Sequence, residues 1–225
     1  MSGKKTQAVT IKDDLVKIKP LELLTEAWEI FRPKWTKILS VLVVVFLIMI
    51  AGEKSLDLVS ESSGEKSLIT FAFEVIFVVV QAFISAGLVF SVLKMIRNQD
   101  FGWTDLFSQA NRFLVYLYAA IKLSIMIVVG LILLIIPGLY ISLKYWPVMY
   151  LIIDRNDLEV KEAFKLSAQM TEGIKWQILA VELVIGALNV GAAMLFWVGL
   201  IITIPMSYLA GAILYDKLLV RIKTK

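Results

Sequence analysis

Between residues 113 and 153 the chain runs for 41 residues with only two charges, Lys122 and Lys144. As a single α-helix this stretch would be about 60 Å long, twice the roughly 30 Å of bilayer hydrocarbon. It therefore has to fold back on itself. The corner is expected at Pro137-Gly138, since proline lacks an amide donor and glycine accepts turn geometry. Residues 174–220 need the same treatment, with a corner expected between Gly199 and Pro205. Two shorter apolar runs precede them, at 35–52 and 68–93. A single soluble core has no room for this much apolar chain: hydrophobic residues make up 59% of the protein, where soluble domains hold about 45–50%.

The expected fold is all-α, a polytopic transmembrane bundle with spans at about 35–52, 68–93, 113–136, 139–153, 174–197 and 201–220. These six form three hairpins within one membrane domain, residues 20–225, behind a flexible cytoplasmic tail, residues 1–19. Amphipathic segments at 21–31, 104–111 and 160–170 are expected to lie in the headgroup plane or to bind a partner. The polar stretch 53–67, with its two Gly-Glu-Lys-Ser-Leu copies, reads as a linker, because the glycine pattern of a phosphate loop is missing. The first span reads as uncleaved. Its apolar run begins only at Ile38, and no small-residue cleavage pattern follows.

Loop charge sets the direction. Nineteen basic residues fall on one side in four groups: eight up to Lys37, then Lys94, Arg97 and Arg112, then Arg155, Lys161, Lys165 and Lys175, then Lys217, Arg221, Lys223 and Lys225. The other side holds two, Lys54 and Lys66. A five-span alternative with 123–143 as one helix breaks this bias. Both termini are thus expected in the cytoplasm. Trp28, Trp35, Trp103, Trp176 and Trp197 fall near expected boundaries, as aromatic belts do, and Trp146 does not.

The absence of Cys and His removes disulfides, His/Cys metal sites, Ser-His-Asp and Cys-His catalysis and His-ligated haem. The spans contain a single Asp, Asp216 near the border of the last, and so no intramembrane aspartyl pair. No catalytic residue, metal or cofactor is expected. The net charge of +4 is spread along membrane borders and does not suggest nucleic acid. It suits contact with anionic lipid.

Three stretches rhyme. Glu26-Ala27-Trp28 precedes Lys34-Trp35, Glu162-Ala163-Phe164 precedes Lys175-Trp176, and Asp105-Leu106-Phe107 precedes Arg112-Phe113. Val129-Gly130-Leu131-Ile132 before Pro137 echoes Val198-Gly199-Leu200-Ile201 before Pro205. Either three parallel repeats or common interface chemistry produces such echoes. Ala187 and Gly191 form a small-residue pair suited to close helix packing.

The Ile-Ile-Pro-Gly-Leu-Tyr core of 133–145, its Lys144-Tyr145 and the Glu-Ala-Phe-Lys-Leu-Ser segment at 162–167 resemble a family of uncharacterised prokaryotic membrane proteins with about six helices. Gly173 and Lys175-Trp176 extend the likeness. That family is similar to the membrane region attached to some glycerophosphodiester phosphodiesterases. The resemblance covers about 21–220 and implies a helical fold in the plasma membrane. It implies no activity and no catalytic residue, and this sequence lacks the soluble phosphodiesterase domain.

The sharpest functional lead is charge inside the spans, which costs roughly 2.5–3.5 kcal/mol per residue on insertion scales. Lys122 and Lys144 lie ten residues from Arg112 and Asp154 respectively, about 15 Å deep. Glu182 lies seven residues from Lys175, about 10 Å deep, and Glu74 falls near the far surface. Glu182 is expected to pair with Lys122 or Lys144, leaving one ammonium for an anion or for snorkelling. Gln81 and Asn189 are candidates for a polar seam. The expected function is non-enzymatic: a lipid- or partner-binding or scaffold protein, its partners the bilayer, anionic lipid, another membrane protein or a second copy. The alternative is a small transporter or channel for an anionic solute or lipid.

Overall fold

The computed structural model describes residues 18–64, 67–194 and 199–223. Its elements are α1 (Pro20–Ser63), α2 (Leu68–Ile96), a 3-10 turn (Trp103–Phe107), α3 (Phe113–Leu133), α4 (Ile135–Tyr145), α5 (Val148–Asp154), α6 (Val160–Met170), α7 (Lys175–Met194) and α8 (Leu200–Lys223). The fold is an all-α bundle, with no strand among the described residues. Five stretches are long and apolar enough to cross a membrane: α1, α2, α3, α4 with α5 as Ile135–Asp154, and α7. The expected sixth span falls in α8. That helix has the length, 24 residues, but closes on Asp216, Lys217, Arg221 and Lys223 and lies outside this set.

Helix α1 corrects the reading of the first 67 residues. The segment 21–31, the span 35–52 and most of the expected linker are one 44-residue helix, about 66 Å long. Pro20 sits in its first turn, where a missing amide costs nothing. Pro33 does not end it, because Ala27 and Phe31 before the proline and Ile38 and Val41 after it are all buried. Beyond Gly52 the chain stays helical. The Ser55 and Ser60 hydroxyls donate back to the carbonyls of Ala51 and Asp57, and Lys54 pairs with Asp57 at 3.3 Å. Gly64, at φ +86°, ends the helix. The Ser67 hydroxyl then caps α2 by accepting from the Thr70 amide at 3.1 Å. The second Gly-Glu-Lys-Ser-Leu copy partly lies outside the described residues.

The α3–α4 corner falls at Leu134, three residues before the expected Pro137-Gly138. Pro137 occupies the first turn of α4, a position that suits proline. The reversal is tight. A Cβ on Gly130 would lie 2.9 Å from the Gly138 Cα, whereas eight residues along one straight helix span about 12 Å. This excludes a single helix over 123–143. The second turn includes Gly199, the near edge of the expected range, and α8 starts at Leu200 with Pro205 inside it. A Cβ on Gly199 would lie 2.9 Å from the Ala192 Cβ, so this hairpin is also closed by a glycine. The two glycine motifs are not equivalent, however. Gly130 stands before its corner on α3, and Leu200-Ile201 follow theirs on α8. The three amphipathic stretches likewise take three forms: part of α1, a 3-10 turn, and the separate helix α6.

Helix α8 is the central staple. Leu209, Ala210, Ala212, Leu214, Tyr215 and Leu218 are fully buried, and its largest packing partner is α1. Trp28, Trp35, Trp103 and Trp176 are exposed, as a belt requires, and Trp197 lies outside the described residues. Trp146 instead packs on Tyr150, with ring centroids 5.4 Å apart. Gly191 faces open space and Ala187 is exposed, so the pair is not packed against another helix among the described residues. The expected tail lies outside the described residues except Ile18 and Lys19. Ile18 is buried, and its amide donates to the Gln177 Oε1 at 3.1 Å.

Candidate functional site

One end of the bundle gathers most of the charge, and most of it is internally matched. Lys94 pairs with Asp105 at 2.8 Å, behind the 3-10 turn. Arg97, just past α2, donates to both Asp154 oxygens, with Nη2 3.0 Å from Oδ2, and reaches Asp216 at 3.1 Å. The Tyr215 hydroxyl donates to Asp154 at 2.8 Å. Lys217 of α8 pairs with Glu26 of α1 at 2.6 Å, and Lys37 with Asp100 at 2.5 Å. Two arginines cap helix ends, where the dipole favours cations. Arg112 donates to the carbonyls of Ile152, Arg155 and Leu158 after α5. Arg221 donates to those of Met170 and Glu172 after α6.

The hydrogen bond to Asp154 holds the Arg97 guanidinium above its ordinary pKa, against the opposing effect of burial. Lys37, by donating to it, holds the Asp100 carboxyl below the usual range.

The lysines around α4, α6 and α7 break the pattern. Lys122, Lys144, Lys165 and Lys175 have no carboxylate within ion-pair distance among the described residues. Lys122, Lys144 and Lys175 meet aromatic rings instead. The Lys122 Nζ lies 4.7 Å from the Phe164 ring centre. Lys144 lies 5.2 Å from Tyr145 and 6.0 Å from Tyr140, and Lys175 lies 5.2 Å from Tyr140. Tyr145 packs on Phe164 at 5.1 Å, which joins the rings into one ledge.

Helix α6 fixes this ledge. Its bounds match the amphipathic segment read from the sequence, with Ala163, Phe164, Ser167 and Met170 on its buried face. At the end of α4, before Pro147, the Lys144 carbonyl accepts from the Ser167 and Thr171 hydroxyls, each at 3.0 Å. Both hydroxyl-bearing side chains are fully buried. The helix is thus docked against the bundle at the level of Lys144. An open cleft of about 330 Å³ remains between α4, α6 and α7, with Tyr140, Lys144, Phe164, Lys165, Glu172 and Lys175 on its walls.

Of the expected cluster, Lys122 and Lys144 meet at this ledge and Glu182 does not join them. Glu182 is exposed on α7 and makes no ion pair. Its hydrogen-bonding neighbour is Trp146. Equal depth along two helices says nothing of which way each side chain points, and the expected pairing fails for that reason. Glu74 and Gln81 are exposed on α2. Asn189 does form a polar seam, but with α8: its Nδ2 donates to the Ser207 Oγ at 3.0 Å.

No family model matches this chain, and no curated protein or solved structure matches it.

Lys165, Lys175 and the three rings were not read as site residues from the sequence. They entered there only as border charges and as parts of the repeat and resemblance motifs. The signal lay in Lys165 and Gln169 on the polar face of α6, opposite the buried one, with Glu172 just past its end.

Proposed function

We propose that this protein is a non-enzymatic integral membrane protein of the plasma membrane that binds lipid or a membrane partner. The observation that carries this reading is the group of lysines on the Tyr140–Tyr145–Phe164 ledge, with aromatic but no acidic partners. Elsewhere at the same end, Lys37, Lys94, Arg97 and Lys217 are paired with carboxylates, and Arg112 and Arg221 cap helix ends. No nucleophile–base pair stands near the ledge to suggest bond chemistry. The resemblance to the six-helix prokaryotic family belongs to the same reading, as do six spans with both termini in the cytoplasm, α8 serving as the last. Border charge supports that topology, and an extracytoplasmic reporter fused after Lys225 would overturn it. The test of function is native mass spectrometry of the full chain released from gentle detergent. Retained lipid or a co-purifying protein supports the reading, and a bare monomer refutes it.

A transporter for a small anion is the second reading. Its support is the α7–α8 seam, where the buried Thr203 Oγ1 and Asn189 Oδ1 have no hydrogen-bond partner. Solute flux in proteoliposomes that is lost in Thr203→Val would favour it.

A further inference from the structure

We propose that the cleft between α4, α6 and α7 binds a phosphate-bearing anionic headgroup, gripped by Lys144, Lys165 and Lys175 beside Tyr140. This rests on the lipid-binding reading above and names its ligand class.

The cleft carries three ammonium groups against one carboxylate, Glu172, which pairs with none of them. Like charges drawn round one opening repel, and an anion between them removes that repulsion. The lysines are not free to disperse. The Lys144 backbone is pinned through its carbonyl by Ser167 and Thr171. Lys144 and Lys175 both lean on the Tyr140 ring, from opposite helices. Lys175 also opens α7, where the start of a 20-residue helix adds positive potential. The volume, about 330 Å³, is at the small end of ligand sites, and fits a headgroup without its chains.

The neighbouring surface says where chains would run. From Tyr140 back towards its start, α4 exposes Leu139, Ile136 and Ile135, the last two 79% and 76% exposed. An anion in the cleft with acyl chains along this apolar strip is a phospholipid. Without the strip it is a soluble phosphate compound. The shared chemistry is a phosphate oxygen facing two or three ammonium donors.

The experiment uses the full chain in nanodiscs of a zwitterionic phospholipid doped with phosphatidylglycerol, and reads lipid retention by native mass spectrometry after release. We expect preferential retention of the anionic lipid. Lys144→Met and Lys175→Met should each weaken it about tenfold or more, the scale of one charge-assisted hydrogen bond. Lys144→Arg should retain it. Lys161→Met, on α6 outside the cleft, should change nothing. Melting of each variant is measured first, and Lys144→Arg keeps the test valid if the methionine variants unfold.

Inorganic phosphate is the second arm. Binding of phosphate with no preference for anionic lipid refutes the lipid source and keeps the phosphate site. Equal retention of both lipids, or anionic retention indifferent to Lys144 and Lys175, overturns the proposal while the broader lipid-binding reading stands. A bare protein in every condition overturns both.

Discussion

Arg97 is the side chain on which the charged end turns, and Arg97→Met is the most informative single change there. It removes two hydrogen bonds from Asp154 and one from Asp216. The two carboxylates are not equally protected: the Asp154 side chain is 10% exposed and Asp216 44%. Without Arg97, Asp154 keeps only the Tyr215 hydroxyl. Stranding a buried charge costs about 3–5 kcal/mol; Arg97 is itself 32% exposed, so water entry should reduce this to about 2–3 kcal/mol. Asp154→Asn keeps an acceptor for Tyr215 and leaves Arg97 with Asp216, so about 1–2 kcal/mol is expected. Asp216→Asn should cost less than about 1 kcal/mol. The double change Arg97→Met with Asp154→Asn should fall short of the sum by about 1–2 kcal/mol. Unfolding by sodium dodecyl sulfate in mixed micelles measures all four. The pH dependence has a fixed sign. Because the folded pKa of Arg97 is raised, its contribution is complete below the ordinary arginine range and is not lost in the neutral range. Only protonation of the carboxylates in acid removes it. Strict additivity of Arg97→Met and Asp154→Asn, or an Asp216→Asn as damaging as Arg97→Met, would refute the reasoning.

Five further outcomes follow from the structure. Gly87→Ala would set a Cβ 2.1 Å from the Leu106 carbonyl oxygen and 2.4 Å from its Cα, so it should cost at least about 3 kcal/mol in the same titration. Gly186→Ala meets open space and should stay within about 1 kcal/mol of wild type, on the stabilising side. Ser167→Ala with Thr171→Val strips both donors from the Lys144 carbonyl, for a loss of about 1–3 kcal/mol and faster proteolysis at α6. Glu182→Gln, with no ion pair to break, should move stability by under about 0.5 kcal/mol and add simply to Lys144→Met; a larger, coupled loss would restore the expected pair. Lys37→Met should let Asp100 titrate near its free value of about 3.9, seen as an upward shift by carboxyl NMR. The wild-type pair is present above that value and is lost as pH falls through the lower folded one.

The apolar runs made the helices legible, since the bilayer leaves few other ways to satisfy a backbone. The 11-residue α6 was equally legible, because its apolar residues recur at helical spacing within a short polar frame. Where chain met water, polarity was a poor guide. Residues 53–63 contain no proline and no glycine, and their Glu, Lys, Leu and Asp propagate α1 as readily as the apolar residues before them. At the second hairpin Pro137 was read as the corner itself, when the first turn after a corner is where proline fits best. For the site, sequence exposed the anomaly of Lys122 and Lys144 but gave only their depth. Direction round the helix axis decides which side chains meet, and that came from α6 docking on the end of α4.

The proposed orientation and the stability of the bundle make opposite demands on its charged end. Orientation asks for an excess of Lys and Arg at one border, and compact packing asks that each one be answered. The fold satisfies both by bringing acids from distant segments to face the bases: Asp105 to Lys94, Asp154 and Asp216 to Arg97, Glu26 to Lys217, Asp100 to Lys37. Arginines then take the carbonyls that α5 and α6 leave open. Against that background, the lysines between α4, α6 and α7 stand together round one cleft without a carboxylate partner among the described residues, where Lys94, Arg97 and Lys217 at the same border each have one. Rings flank Lys144 and Lys175 and the Lys144 backbone is pinned, so the charge of the cleft stands fixed in place for the anion proposed above.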